Sequence, residues 1–311
     1  MRQNFSRGIM SPERDRIARL GSGQRLLVFG FWRGQLPEVA RLHFLTVAKA
    51  LPPQSRYIVF TFEAVVPPAM QDLLNACGIE TFPFDLPRLM AETGTAHLLR
   101  RTPFSGCWAT LGRLSKRPFY RGLLARCGYV LDGRFFPRAN WLLGGPPTNG
   151  VILSNYARVI IGSIVPEHTL YTDIDFAFPR PLDWVFRHES FVYRWERKSY
   201  ANSALISVTD DSPIKRGALI DLLNREGAGR APILFSQRNC DAVGLEVLPC
   251  DRLDPQWSKI GPNGPGYRRF FNGGDSAEQD LAFLREHFDG IHWHNKWKEV
   301  PEAGSRPMIS G

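Results

Sequence analysis

The sequence has few cysteines and none of the spacings that bind zinc or carry out dithiol chemistry. The chain of 311 residues contains five cysteines, an odd number, and no two of them form a C-x-x-C pattern. This argues against a zinc site and against a redox motif. It favours a protein of a reducing cytoplasm.

Long hydrophobic runs are also missing. The longest apolar run, near 159–165, is interrupted by Gly162 and Ser163. It falls well short of the ~18–20 residues that a membrane span needs. Residues 1–20 lack the apolar core of a secretory signal. We therefore expect cytoplasmic localisation, with no more than peripheral contact at the inner membrane surface.

Acidic residues are scarce in the first half of the chain. Residues 1–150 contain 20 Lys and Arg against 9 Asp and Glu, whereas residues 151–311 contain 19 against 21. Over 100–138, nine basic residues accompany a single acid, Asp132. Such a stretch attracts phosphates, anionic lipid headgroups or nucleic acid, and a merely solvated basic face is an equally open interpretation. We expect peripheral membrane contact through 100–138. No nucleic-acid partner is expected, because no aromatic-and-basic RNA motif is present.

What the chain does contain is the composition of a globular protein. Hydrophobic residues make up 43% and charged residues 22%, which excludes a chain disordered throughout. The length allows two domains, but one large α/β domain also fits. We predict a flexible arm over 1–24, a single domain over 25–298 with a basic helical insertion at 88–140, and a disordered tail over 299–311.

Hydrophobic periodicity predicts alternating strands and helices. Short apolar runs predict strands, and apolar residues at helical spacing that end near Gly or Pro predict helices. The first five elements follow the order β-α-β-α-β, which predicts an α/β fold with a parallel sheet. The predicted strands are 25–31, 56–62, 79–84, 169–178 and 204–209, and the predicted helices are 38–50, 69–77, 150–165, 214–225 and 276–288.

Two aspartates lie in the fourth predicted strand, within YTDIDFAF (171–178). Strand alternation places Asp173 and Asp175 on one side, opposite Ile174. Two carboxylates ~5–7 Å apart repel by ~2–3 kcal/mol at an effective dielectric constant of ~20. A bound Mn²⁺ or Mg²⁺ removes that cost, and the carboxyl ends of parallel strands are where ligands bind. The alternative is a polar turn that follows a strand.

The helix upstream carries an amide and a guanidinium on one face. In SNYARVIIG (154–162), Asn155 and Arg158 are three residues apart, so both can face the aspartates. Arginine is a natural partner for a pyrophosphate or for a metal-binding carboxylate. The alternative for Arg158 is an ion pair on the helix surface.

A further cluster of functional side chains lies in GIHWHNKW (290–297). His292 can complete a metal shell, and Lys296 can neutralise a leaving phosphate. Trp293 or Trp297 can stack on a ring. The alternative is a purely structural aromatic cluster.

Taken in order, these motifs resemble glycosyltransferase family 32 and the related α-1,4-glycosyltransferases. The S-[DN]-x-x-R helix followed by D-x-D is similar to the sugar-binding region of that family. The resemblance extends over about 25–298 and is carried in addition by VFGFWRGQLP (28–37), YANSALISVTDDSPI (200–214), WSKIGPNGPGY (257–267) and IHWHNKW (291–297). Two departures stand out, because the family usually has Asp where this chain has Asn155, and Tyr-Gly-Gly where it has SIVPEH (163–168).

The resemblance implies a GT-A-like, Rossmann-like nucleotide-sugar-binding fold with a mixed, mainly parallel sheet flanked by helices. It also implies Mn²⁺ or Mg²⁺, retention at the anomeric carbon, and a nucleoside diphosphate sugar, first of all a UDP-sugar, as the donor. Catalytic roles are implied for Asp173, Asp175, Arg158 and Lys296, donor binding for Trp32, Asn155, Asn202 and Trp297, and metal binding for Asp175 and His292.

The function expected from the resemblance is that of a metal-dependent hexosyltransferase. It would move a sugar to a saccharide or lipid-linked acceptor in the synthesis of bacterial surface polysaccharide. Two alternatives stay open. One is a catalytically weak nucleotide-sugar-binding protein on a transferase scaffold, suggested by Asn155. The other is a phosphatase of the haloacid dehalogenase type, although Ala177 stands where that D-x-D motif normally continues with Thr or Val.

Overall fold

The chain is organised by a mixed seven-stranded sheet. The computed structural model describes residues 12–38, 40–99, 105–131, 133–137, 150–194, 200–227, 231–254 and 277–292. Its strands are β1 Leu26–Gln35, β2 Ser55–Val65, β3 Glu80–Pro83, β4 Val130–Leu131, β5 Arg134–Phe135, β6 Thr169–Thr172, β7 Phe176–Ala177, β8 Phe191–Arg194, β9 Ala201–Val208, β10 Glu246–Leu248 and β11 Ile291–His292. The large sheet has the order β10-β8-β9-β6-β1-β2-β3.

Most neighbours in this sheet run parallel. Strand β1 pairs in parallel with β2 and β6, β2 with β3, and β8 with β10, while β9 is antiparallel to both β6 and β8. The predicted α/β fold with a mixed, mainly parallel sheet flanked by helices is therefore confirmed. Two short antiparallel pairs, β4 with β5 and β7 with β11, lie outside the large sheet.

Helices cover both faces of the sheet. The α-helices are α1 Glu13–Ala18, α2 Ala40–Ala50, α3 Pro68–Ala76, α4 Leu86–Glu92, α5 Ser105–Leu114, α6 Pro118–Arg126, α7 Gly150–Ile164, α8 Ala218–Glu226, α9 Ala231–Leu234, α10 Gln237–Val243 and α11 Ala277–His287. Short 3₁₀ helices span Arg19–Gly21, Ala96–Leu99, Leu182–Arg187 and Pro213–Arg216. Within the described ranges, no helix has both the length and the hydropathy that crossing a membrane requires.

The apolar run of β1 is explained by burial on both faces of the sheet. Leu27 and Phe29 pack in one core cluster with Tyr156 and Ile160 of α7. Their neighbour Val28 packs in the second cluster, which contains residues of α2 and α3. A parallel strand covered on both sides needs apolar residues at every position, so it shows a continuous run rather than alternation.

The N-terminal segment differs from the predicted flexible arm over the part that is described. Residues 13–18 form α1, and Ile17 is completely buried in the core cluster of α7. Glu13 is also buried, and its carboxylate accepts a hydrogen bond from the Asp85 backbone N–H at 3.1 Å. The segment is mostly polar, and Ile17 is the one completely buried apolar residue of its described part. A single apolar residue gives no periodic pattern from which a helix could be predicted.

Candidate functional site

The two aspartates of the D-x-D motif lie in a turn, which corrects the prediction of one continuous strand over 169–178. Strand β6 ends at Thr172, and the chain turns through Asp173, Ile174 and Asp175 before β7 begins. The Asp173 backbone N–H still donates to the Ala204 carbonyl oxygen of β9 at 2.8 Å. The first residue of the turn is therefore still hydrogen-bonded to the neighbouring strand. Strand alternation therefore cannot be the reason that the two carboxylates lie on one side.

The turn nevertheless brings both carboxylates together, with a histidine from the end of the described chain. One ligand atom each of Asp173, Asp175 and His292 lies within 4.8 Å of the other two. Asp175 and His292 are buried, whereas the Asp173 side chain is 28% exposed. The predicted pairing of the D-x-D motif with His292 is thus present in the geometry, and Asp173 is the member that solvent reaches.

His292 reaches this position through a short antiparallel pair that the sequence does not predict. In the β7–β11 pair, His292 lies opposite Phe176, and its ring stacks on the Phe176 ring with a centroid distance of 5.4 Å. Gly290 permits the close approach, because a Cβ there would lie 2.2 Å from Phe176 Cε1. Phe176, the residue after Asp175, thus packs against one face of the His292 imidazole.

Hydrogen bonds orient the His292 ring. Its Nε2 lies 3.2 Å from Asp175 Oδ1, and its Nδ1 lies 2.9 Å from the Tyr193 hydroxyl and 3.9 Å from Asp254 Oδ2. Burial and the nearby Asp254 raise the pKa of Tyr193 well above its usual value, so the phenol stays protonated and donates to Asp254. The Tyr193 oxygen then accepts from Nδ1–H of His292. This order directs Nε2 towards the aspartates, as second-sphere partners of metal-bound histidines do.

The electrostatics of the cluster favour a bound positive charge. Burial alone would lower the pKa of His292, but Asp175, followed by Asp254 and Asp173, raises it to about 9. The carboxylates therefore stabilise positive charge at this point strongly enough to outweigh the cost of desolvation.

Arg158 is held in a buried network at the exposed side of the cluster. Its guanidinium forms an ion pair with Asp173 Oδ1 at 3.0 Å and is only 5% exposed, so the alternative of a helix-surface ion pair is wrong. It also donates to the Ser203 carbonyl and hydroxyl oxygens and, at 2.7 Å, to Ser154 Oγ. The guanidinium carbon lies 4.2 Å from the centroid of the Tyr171 ring. The Tyr171 hydroxyl donates to Asp173 Oδ1.

The predicted amides lie close to this network. Asn155 is buried on α7, and its Oδ1 accepts a weak hydrogen bond from Ser203 Oγ at 3.5 Å. Asn202 Oδ1 accepts from the Ala204 backbone N–H at 3.0 Å, which occupies its oxygen within β9. A donor-binding role for either residue stays a prediction.

A cavity of about 310 Å³ opens beside the aspartates. Trp32, at the C-terminal half of β1, is partly buried, and its indole Nε1 is inaccessible to solvent without a hydrogen-bond partner. The cavity is lined by Phe31, Trp32, Arg33, Gly150, Val151, Ser154, Arg158, Asp173, Ile174 and Asp175.

Two predicted site residues, Lys296 and Trp297, lie outside the described residues, as does Trp293. The structure in turn brings in residues that the sequence did not single out. Tyr193 and Asp254 reach His292 from distant parts of the chain, and no local pattern marks them. Ser154 could have been predicted as a partner of Arg158, because it is the first residue of the S-N-x-x-R motif and lies one helical turn before Arg158.

The donor set fits a divalent cation. Two carboxylates and one imidazole nitrogen meet within 4.8 Å, which suits Mn²⁺ and, through the oxygen ligands, Mg²⁺. Tyr193 and Asp254 supply the outer contacts that such sites need. Fold and site together define an α/β protein with an acidic, histidine-containing cluster, suited to a divalent cation, at the carboxyl end of a parallel strand.

No protein-family model matches this chain, and no curated protein matches it in sequence. Among solved structures it is similar to an active-site mutant of the galactosyltransferase LgtC, at 12% identity and a TM-score of 0.44 over 90% of this chain and 92% of that one. It is also similar to the bifunctional glycosyltransferase WbbM, at 10% identity and a TM-score of 0.43. This match covers 88% of the present chain but only 46% of the length of WbbM. A third similar structure is mouse xyloside xylosyltransferase 1, at 10% identity and a TM-score of 0.39, over 90% of this chain and 99% of that one. Likenesses this remote assign no activity to this chain.

Proposed function

We propose that this protein is a metal-dependent, retaining glycosyltransferase of GT-A type that uses a nucleoside diphosphate sugar. The observation that carries the proposal is the convergence of Asp173, Asp175 and His292 next to the buried Arg158 at the mouth of a cavity. A diphosphate sugar presents a doubly charged leaving group, a ring with hydroxyls and a flat base. The site offers a group for each of these.

Asp175 and His292 would hold Mn²⁺ or Mg²⁺, with the Asp173 carboxylate in reach. When bound, the cation supplies charge neutralisation for the departing diphosphate. Arg158, fixed by Ser154 and Ser203, stabilises the same developing charge without having to reorganise.

The remaining residues bind and orient the donor. Asp173, the partly exposed acid, accepts hydrogen bonds from sugar or ribose hydroxyls, and its negative charge suits a cation-like sugar in the transition state. Trp32 lines the cavity and offers a ring face to the nucleobase, for which we propose uracil. Lys296 and Trp297 are proposed to complete the site beside the diphosphate.

The acceptor we propose is a saccharide or a lipid-linked saccharide, in the synthesis of bacterial surface polysaccharide. The cavity beside Asp173 has about 310 Å³, at the lower end of the range for small-molecule sites. It therefore holds part of a donor, and the acceptor would approach from the solvent side.

The test is hydrolysis and transfer measured with Mn²⁺ across UDP- and GDP-sugars, for the wild type and Asp175→Asn. We expect turnover with a UDP-sugar, lost by at least ~100-fold in the variant. Asp183→Asn is the matched control, because Asp183 is an exposed acid in a 3₁₀ helix and belongs neither to the cavity lining nor to the cluster. Donor binding without turnover would favour the binding-protein alternative. Metal-dependent release of phosphate from a phosphomonoester, with no sugar transfer, would favour the phosphatase.

A further inference from the structure

Helix α6 exposes large apolar side chains to solvent. Phe119 is 79% exposed, Leu123 is 52% exposed and Tyr120 is 37% exposed. Leu124 is the residue of this helix that is buried. Phe119 and Leu123 are four residues apart and share one side of the helix, whereas Leu124 faces the body of the protein from another side. Solvent-exposed aromatic and aliphatic residues clustered in this way mark an interaction surface.

The same helix is surrounded by positive charge. Segment 105–131 contains no Asp or Glu, and each of its five basic side chains is exposed. Three of them precede α6 along the chain and two belong to α6 itself. Together with Phe119, Tyr120 and Leu123 they form what we call the basic–apolar surface. The five basic residues are Arg113, Lys116, Arg117, Arg121 and Arg126.

This surface rests on a packed base. Trp108 of α5 is 3% exposed, and its ring lies 5.9 Å from that of Tyr129 and 6.4 Å from that of Phe135, between centroids. Arg121 Nε donates to the Ser115 carbonyl oxygen at 3.2 Å, which ties α6 to the end of α5. The apolar side chains are therefore presented by a supported helix.

We propose that the basic–apolar surface docks this protein on an anionic lipid bilayer, with α6 lying in the plane of the interface. Phe119 and Leu123 enter the acyl boundary, and the basic residues contact the headgroups, as in interfacial amphipathic helices. Nucleic acid fits less well, because an aliphatic Leu123 neither pairs with phosphate nor stacks on a base. This surface lies outside the proposed donor site and does not depend on it.

The test is sedimentation of the full-length protein with vesicles of phosphatidylcholine alone or with about one third phosphatidylglycerol, at ~0.1 M salt. We expect binding to the anionic vesicles only. Phe119→Ser/Leu123→Ser should weaken the partition coefficient roughly tenfold or more, and Lys116→Ala/Arg126→Ala should weaken it about fivefold per charge. The matched controls are Val65→Ser, which alters an apolar residue 64% exposed elsewhere, and Arg225→Ala/Arg238→Ala, which removes two exposed charges.

Loss of binding in the charge variant without loss in the apolar variant would overturn the proposal, because no insertion would then occur. Equal loss in the control variants, or equal binding to neutral vesicles, would overturn it as well. Tight binding of a short DNA duplex that ignores Phe119→Ser/Leu123→Ser would assign the surface to nucleic acid instead. The measurement needs neither donor nor metal, so its failure is distinguishable from failure of the proposed sugar transfer.

Discussion

His43 Nδ1–H donates a hydrogen bond to the carbonyl oxygen of Phe176 at 2.6 Å, which joins helix α2 to the strand that follows Asp175. Burial lowers the pKa of His43 to about 4, so the ring is neutral at neutral pH and has one donor and one acceptor. The acceptor, Nε2, receives the Tyr57 hydroxyl at 2.7 Å. Since Phe176 follows Asp175 and also stacks on His292, the buried His43 imidazole contacts the residue that links these two side chains.

This relationship predicts different effects for two conservative variants. The amide of His43→Asn can place an N–H near the position of Nδ1, whereas His43→Gln places its amide near Nε2 and leaves the Phe176 carbonyl unsatisfied. We expect Mn²⁺ affinity, measured by calorimetry, to stay within a few-fold in the Asn variant and to fall ~10–100-fold in the Gln variant. Equal affinities in the two variants would show that His43 does not position the site.

The lowered pKa of His43 also predicts acid sensitivity. The unfolded chain takes up this proton near the usual histidine pKa of 6.5, whereas the folded chain does so only at about 4. As pH falls, the unfolded state therefore binds protons first, and the free energy of unfolding decreases between these two values. From about pH 7 to about pH 5 the loss due to His43 is about 2 kcal/mol.

Urea unfolding at these two pH values, compared between the wild type and His43→Asn, checks this expectation. The variant lacks the titrating ring, so its decrease in the free energy of unfolding should be smaller by about 2 kcal/mol. His168, whose pKa burial also lowers to about 4, remains in both proteins and keeps some pH dependence in the variant. An equal decrease in the free energy of unfolding in the wild type and in His43→Asn would contradict the assignment of a neutral, buried His43.

Much of the fold could be predicted from the sequence because its central strands are buried on both faces. Strands β1 and β2 therefore appear as long apolar runs. Strands β8 and β10, with four and three residues, are too short to show a period. The position of Arg158 facing Asp173 followed from helical spacing and local order along the chain.

The part of the site that could not be predicted depends on long-range contacts. Tyr193 lies 99 residues from His292 in sequence, and nothing near either residue indicates that they meet. The turn at Asp173–Asp175 was predicted as strand, because Ile174 between two acids imitates strand alternation. His43 lies with Thr46 on the buried, mainly apolar side of α2, which resembles a structural histidine in any core.

Replacement of Arg158 tests whether the planar guanidinium matters beyond its charge. Arg158→Lys keeps the positive charge near Asp173 but cannot reach Ser154, Ser203 and Asp173 together. We expect the free energy of unfolding to fall by ~1–3 kcal/mol, because buried oxygens lose their donors. Arg225→Lys, at a side chain 65% exposed, should change it by less than ~0.5 kcal/mol. If urea unfolding gave similar changes in the free energy of unfolding for Arg158→Lys and Arg225→Lys, the buried hydrogen bonds of Arg158 would not stabilise the protein as expected.

Removal of the Tyr193 hydroxyl tests the orientation of His292. Tyr193→Phe keeps the buried ring, which lies 6.1 Å from the Phe176 ring, and deletes only the oxygen that accepts from His292 Nδ1. The imidazole then loses the contact that directs Nε2 towards Asp175, and Mn²⁺ affinity should fall ~10–100-fold. Tyr120→Phe is the matched control, since Tyr120 is an exposed residue of α6 and should leave the affinity unchanged. Calorimetric titration with Mn²⁺ measures both variants, and unchanged affinity in Tyr193→Phe would mean that the Tyr193–Asp254 pair does not determine how His292 presents its nitrogen.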